Sequence, residues 1–132
     1  MSMGISWVIG SGEQRTGGDK RETSLIEIIS LINKAWDCNG VVELYKHPCP
    51  DIGAQNIQVR IDKHRSVLTL GEENVDDHDV RAYTNPIGQP GVMVEILGDY
   101  WGEQMVCDDL DVVIECFKQF WETGDVSPDL LN

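Results

Sequence analysis

The chain has 132 residues, 41% of them hydrophobic, which is enough for one domain with a single buried core. Its 23 acidic residues outnumber its 10 lysines and arginines, and the formal net charge is −13. This balance argues against direct binding to nucleic acid or to an anionic membrane surface, because both kinds of binding need cationic side chains.

The N-terminal part of the chain predicts a strand, a loop and a helix. Apolar residues 5–9 favour a strand, and the glycine-rich, charged segment 10–20 is predicted to be a mobile loop. Ser24 begins a capping-box pattern, and Gly40 follows as a stop signal. Apolar residues at helical spacing lie between these two signals, so we predict a helix over 24–37.

Strand patterns dominate the middle of the chain. They predict strands over 41–45, 57–62, 66–70, 80–84, 92–97 and 100–106, the last two as an antiparallel pair. Short links between these segments favour an antiparallel sheet. The segment from Glu72 to Asp79 carries five acids and no base, so it is predicted to be an exposed loop.

The last predicted element is a second amphipathic helix. Asp108 and Asp109 supply its cap, and Gly124 ends it. Between them an apolar stripe recurs at helical spacing, at positions 110, 113, 114, 117 and 121. The whole order predicts one α+β domain over residues 1–132, with an antiparallel sheet of about five to seven strands and two amphipathic helices packed on one face.

The excess negative charge is confined to the C-terminal half. Residues 1–66 hold eight acids and eight bases, whereas residues 67–132 hold fifteen acids and only two bases, Arg81 and Lys118. A chain that is acidic only for solubility is expected to show the bias in both halves. The asymmetry therefore predicts an acidic face for a basic partner, with a lopsided solvated surface as the alternative.

Motifs for catalysis and metal binding are missing from the sequence. Cys38, His47 and Cys49 lie close together, but no C-x-x-C pair or clear fourth ligand accompanies them. The acidic segment lacks the alternating order of a calcium loop, and there is no nucleophile elbow or phosphate loop. We therefore predict a protein that is not an enzyme and has no catalytic residue, metal or cofactor.

Trp101 is the tryptophan with the clearest potential for binding. Trp7, Trp36 and Trp121 fall on inward-facing stripes and are predicted to belong to the core. Trp101 instead follows Tyr100 at a turn, and acids flank this aromatic pair. Two interpretations stay open: an anchor for a partner within an acidic rim, or an edge aromatic packed on the second helix.

A short motif closes the predicted second helix. The helix ends in the aromatic pair Phe120-Trp121, which is followed by Glu122-Thr-Gly124 and then by Pro128. This ending resembles the closing element of one family of small immunity proteins from bacterial polymorphic-toxin and contact-dependent growth inhibition systems. The resemblance implies a cytosolic protein that binds one cognate toxin domain and blocks its active site.

Charge and resemblance together predict a non-enzymatic immunity protein. It would neutralise a basic toxin domain, which is expected to be a nuclease. Its acidic surface would mimic the phosphate substrate of that toxin. The protein itself is expected to bind neither nucleic acid nor a membrane. No secretory signal or membrane-spanning stretch is visible, so we expect a cytoplasmic location. Trp101 would be the anchor, and the predicted toxin-binding residues are Glu72, Glu73, Asp76, Asp77, Asp79, Asp99, Tyr100, Trp101 and Glu103.

Two other functions stay open on the sequence. One is a small cytosolic ligand-binding or enzymatic α+β domain with a pocket between sheet and helices, which a deep cavity holding a perturbed histidine or cysteine would favour. The other is a housekeeping subunit whose acidic half pairs with a basic protein that is not a toxin. The sequence leaves the toxin's activity and the oligomeric state open.

Overall fold

An antiparallel sheet forms the centre of the computed structural model, which describes residues 2–132. The strands are β1 (Ser2–Ile9), β2 (Thr16–Lys20), β3 (Gly40–His47), β4 (Gly53–Asp62), β5 (Arg65–Glu73), β6 (His78–Ala82), β7 (Met93–Ile96), β8 (Asp99–Gly102) and β9 (Val106–Cys107). The α-helices are α1 (Leu25–Cys38) and α2 (Leu110–Thr123). The sheet has the order β2-β1-β3-β4-β5-β6, with β9 also paired to β5, while β7 and β8 form a separate hairpin.

Both helices pack on one side of the sheet, which we call the inner face. Strand β4 shows the alternation that creates it: Ile57, Val59 and Ile61 are fully buried, whereas Gln58 and Arg60 between them are half-buried on the opposite, outer face. The helices complete this core with Ile28, Ile32, Ala35, Val113, Cys116, Phe117 and Phe120. The predicted α+β class, with two amphipathic helices on one face of an antiparallel sheet, is thereby confirmed.

Local signals set the helix ends where the sequence predicted them. The Ser24 hydroxyl accepts a hydrogen bond from the N–H of Glu27 at 3.3 Å, and the Asp109 carboxylate accepts one from the N–H of Asp111 at 3.0 Å. Gly124 ends α2 in the left-handed conformation, with φ of 80°. Within residues 2–132, no helix has the length and apolar character needed to cross a membrane.

The prediction of a mobile loop over 10–20 is wrong. Residues Gly12–Gln14 form a 3-10 turn, and β2 then pairs with β1 as the edge strand of the sheet. The Trp7 ring lies directly over Gly18, where an added Cβ would come within 2.5 Å of that ring. Every residue of β2 is exposed, so the strand carries no apolar alternation that a sequence pattern could show.

Two other predicted boundaries also differ from the structure. Strand β5 continues to Glu73 and β6 already begins at His78, so half of the predicted acidic loop is strand. The predicted partner strand over 100–106 ends early as β8, passes through a 3-10 turn and then pairs with β5 as β9. The chain therefore leaves one hairpin to extend the main sheet.

The β7–β8 hairpin, called here the second hairpin, packs on the outer face of the sheet. Val67 of β5 projects to that face and forms a small buried cluster with Ile96 and Val106. Leu97 and Gly98, both with positive φ, make the tight turn at its tip. The N–H of Leu97 donates to Asp62 Oδ2 at 2.9 Å, which fixes this tip beside the β4–β5 turn.

Candidate binding surface

Five predicted binding residues lie together where β5 and β6 join, and we call this region the acidic hairpin. It comprises Glu72, Glu73, Asp76, Asp77 and Asp79. Glu72 faces Asp79 in the strand register, so two like charges stand side by side. Opposed like charges destabilise a strand pair, and a cationic partner would relieve that repulsion.

The turn of the acidic hairpin is closed by its own hydrogen bonds. The side chain of His78 contacts Glu73, with Nδ1 and Oε1 3.0 Å apart. Asn74 donates through Nδ2 to Asp79 Oδ2 at 2.7 Å and through its backbone N–H to the carbonyl of Asp77 at 2.8 Å. These bonds order the turn while Asp76 and Asp77 stay exposed at its tip.

Large apolar side chains are exposed among these acids. Val75 is 83% exposed and Val80 is 60% exposed, one at the turn and one on β6. Ile52 is 62% exposed and directly precedes Gly53, which pairs with Glu73 in the register of β4 and β5. Exposed apolar groups beside charged ones are typical of protein-binding surfaces, because burying them on association is favourable.

Arg81 does not neutralise the acidic hairpin, because its guanidinium is bound elsewhere. Nη1 contacts Asp125 at 2.8 Å, and Nε and Nη2 donate to the carbonyls of Val126 and Leu131. Its side chain is only 15% exposed. The one base near the acidic hairpin in sequence therefore holds the C-terminal segment instead.

The open edge of β6 borders the acidic hairpin. Ala82 exchanges two backbone hydrogen bonds with Asn132, at 3.0 and 3.3 Å, so both of its backbone groups point away from β5. Because these directions alternate along a strand, the N–H and C=O of Val80 point the same way. No strand of the described chain covers this edge beside Val80.

The other four predicted binding residues lie at the opposite end of β5. Asp99 and Tyr100 are exposed on the second hairpin, with Tyr100 67% exposed, while Glu103 accepts a hydrogen bond from the N–H of Gln89 at 3.0 Å. The tip of this hairpin is fixed beside the β4–β5 turn, whereas the acidic hairpin follows the far end of β5. From Val67, against which the second hairpin packs, to Glu72 is a distance of five residues along β5, roughly 17 Å.

Trp101 is half-buried rather than presented on the surface. It packs against the cluster of Val67, Ile96 and Val106, and its Nε1 is buried with no hydrogen-bond partner in residues 2–132. This position matches neither sequence interpretation in full, since the ring rests on the outer face and not on α2. Tyr100 is the aromatic that the second hairpin exposes.

The acids of the C-terminal half do not form one continuous face. Five belong to the acidic hairpin, and three lie on or next to the second hairpin, Glu95, Asp99 and Glu103. The remaining seven follow α2 and its flanks, at Asp108, Asp109, Asp111, Glu115, Glu122, Asp125 and Asp129. The acidic hairpin combines five of these acids with exposed Val75 and Val80 beside an open strand edge.

Comparison with known proteins places this chain in a family. Residues 6–130 match the model of DUF6911, described as a family of unknown function. The chain belongs to DUF6911. No curated protein matches it in sequence.

The fold of this DUF6911 chain also occurs in a solved structure. A crystal structure of a hypothetical protein from Neisseria gonorrhoeae superposes with a TM-score of 0.80, covering 96% of this chain and 90% of that one. The two sequences are 14% identical, so the likeness shows a shared fold alone.

Sequence reasoning missed the residues that give the acidic hairpin its character in this DUF6911 chain. Ile52, Val75 and Val80 are isolated aliphatic residues in the sequence, and no periodic pattern marks them as exposed. Arg81 is conspicuous as the one base between residues 66 and 117, but its partners come from the distant C-terminal segment. Across residues 2–132, no group of three or more His, Cys, Asp or Glu side chains is arranged to hold a metal ion.

Proposed function

We propose that this protein is an immunity protein that binds and neutralises a cognate toxin domain of a polymorphic-toxin or contact-dependent growth inhibition system. The observation that carries the proposal is the acidic hairpin, which carries five carboxylates and the exposed side chains of Val75 and Val80 beside an open strand edge. The resemblance of the C-terminal motif to immunity proteins supports it independently. The proposed setting is the cytoplasm, where an incoming toxin must be intercepted.

The expected toxin is a nuclease, because a nuclease binds its phosphate substrate in a basic cleft. The acidic hairpin would enter that cleft, its carboxylates facing the cations and its aliphatic side chains losing their contact with water. Steering between opposite charges raises association rates by about 10- to 1000-fold and weakens as salt increases. Fast association suits an inhibitor that must act before the toxin does.

The direct test is a binding assay with the toxin domain encoded by the adjacent upstream gene. Wild-type protein is expected to bind it and to inhibit its activity. The informative variant is Asp76→Lys with Asp77→Lys, since both side chains are exposed at the turn. Its expected effect is slower association and a flatter dependence of the association rate on salt.

A matched control carries the same charge change on another surface. Glu115→Lys with Glu122→Lys alters two exposed acids of α2. It is expected to change association much less than the hairpin variant. Equal effects from the two double variants would reject the acidic hairpin as the binding site, and no binding by wild type would reject the proposed function.

A further inference from the structure

A second surface feature lies on the outer face, away from the acidic hairpin. A depression of about 470 Å³ opens where β1 ends, between the Gly10–Gly12 segment and Leu97 at the tip of the second hairpin. An adjoining depression of about 440 Å³ continues it along β1 and β3, and the two share Val8 and Val41. The second hairpin thus covers only part of the outer face.

Two arginines from separate segments of the chain line the first depression. Arg60 lies on the outer face of β4 and is half-buried, while Arg15 precedes β2 and is exposed. Within residues 2–132 neither guanidinium makes an ion pair or a side-chain hydrogen bond. Both guanidinium groups are therefore available to a ligand in the depression.

The acids nearest to Arg60 on this face are bound by other groups. Asp62, two residues along the same face, accepts a hydrogen bond from the N–H of Leu97 at 2.9 Å. Glu43 pairs in register with Gln58, and it accepts a hydrogen bond from Asn56 Nδ2 at 2.7 Å. In a chain with net charge −13, neither of these carboxylates forms an ion pair with Arg60 within residues 2–132.

The rest of the depression is apolar or small. Val8 is 39% exposed and, with Val41 and Leu97, supplies aliphatic surface. Gly40 must stay small, because its φ is 148° and an added Cβ would clash with the carbonyl oxygen of Val8. Ser11 also lines the site, and a serine hydroxyl can offer a further hydrogen bond.

From this arrangement we propose that the depression binds a small phosphate monoester that carries a flat apolar group. The tetrahedral phosphate has enough oxygens for both forked guanidinium groups at once, whereas one carboxylate supplies only two. The apolar group would lie on Val8 and Val41, and the volume is in the range of small-molecule sites. This site is separate from the acidic hairpin and does not require the proposed toxin.

The test is a titration of the ¹⁵N-labelled protein with phenyl phosphate, followed by two-dimensional NMR. Saturable shifts are expected at the amides of Gly10, Gly12 and Gly40. Inorganic phosphate is expected to bind more weakly because it lacks the ring. Benzoate is expected to bind more weakly because its carboxylate offers two oxygens, whereas the phosphate monoester offers three terminal oxygens. Phenyl phosphate without saturable shifts at these amides would overturn the proposal.

Variants then separate a built site from the general effect of charge. Arg60→Gln and Arg15→Gln are each expected to raise the Kd for phenyl phosphate about tenfold or more. Because the Arg15 side chain is exposed in a loop, Arg15→Gln is expected to leave folding unchanged. The matched control is Arg65→Gln on β5, outside the lining, with an expected change below about twofold. An equal loss in the control would show general attraction and overturn the site.

Discussion

The acidic hairpin and the second hairpin are both short antiparallel pairs with acids near the turn. The second hairpin has an apolar side packed on the sheet, beside exposed Met93 and Tyr100, whereas both valines of the acidic hairpin are exposed. The second hairpin buries Ile96 completely and half-buries Trp101 against β5. The acidic hairpin leaves Val75 and Val80 in solvent. The comparison teaches that one hairpin contributes to the stability of the fold, whereas the other holds apolar surface that the folded chain does not use.

The largest expected change in the free energy of unfolding comes from truncating a buried side chain of the second hairpin. Ile96→Ala should lower the free energy of unfolding by about 2–4 kcal/mol, because it removes buried methyl groups and leaves a cavity. Met93→Ala on the same hairpin, where the side chain is 56% exposed, should change it by about 0.5 kcal/mol or less. Urea unfolding measures both, and similar values would contradict the packing described.

The next effect concerns the arginine that holds β6 to the C-terminal segment. Arg81→Gln should lower the free energy of unfolding by about 2 kcal/mol, because buried carbonyls of Val126 and Leu131 lose their donors. Asp125→Asn should cost less than about 1 kcal/mol, since that carboxylate is 58% exposed. Faster digestion by carboxypeptidase in the first variant alone would confirm that Arg81 retains the segment.

A smaller change in stability, with a distinct change in binding, is expected at the acidic hairpin. Val75→Ser should alter the free energy of unfolding by about 0.5 kcal/mol or less, because the side chain is already 83% exposed. If the toxin covers it, affinity for the toxin domain should fall about tenfold, which is the value of burying one valine. Unchanged affinity would restrict the toxin contact to the carboxylates.

The experiment that changes the protein least is chemical modification of its four cysteines, which tests which parts of the fold are buried. Cys49 is exposed in the loop before β4, at the end of the sheet where the acidic hairpin lies, whereas Cys107 is buried at the other end. A thiol reagent should modify Cys49 and exposed Cys38 in the native protein, and Cys107 and Cys116 only after unfolding. Burial also raises the pKa of Cys116 to about 12, which keeps its thiol protonated. Mass spectrometry of the modified peptides reads the result.

The parts of the fold that depend on local signals were predictable from the sequence. Ser24, Asp109 and Gly124 act on neighbouring backbone groups, so both helices begin and α2 ends as expected. Helix α1 ends at Cys38, near the predicted position, but Asn39 with positive φ caps it and Gly40 already begins β3. Strand β2 could not be predicted from the sequence pattern, because its stability comes from pairing with β1 and from the Trp7 ring over Gly18. Such support comes from other parts of the chain and leaves no periodic trace in the strand itself.

The candidate site was predictable only as a set of acids. Glu72 and Asp79 are neighbours because β5 and β6 pair, and the sequence already placed them in one segment. The distance of Asp99 from Glu72 and Asp79 could not be predicted from the sequence, because it depends on which face and which end of β5 the second hairpin occupies. The role of Arg81 was likewise hidden, since it depends on contacts with the C-terminal segment.

Strand β5 supports both hairpins at once. It pairs with β4 on one side and with β6 and β9 on the other, and Val67 anchors the second hairpin from its outer face. Its amide protons should therefore be among the slowest in the protein to exchange with deuterated solvent, because β5 has strand partners on both sides and the second hairpin covers Val67 on its outer face. A ligand bound at either end would slow that exchange along the same strand, so β5 can report occupancy of either end.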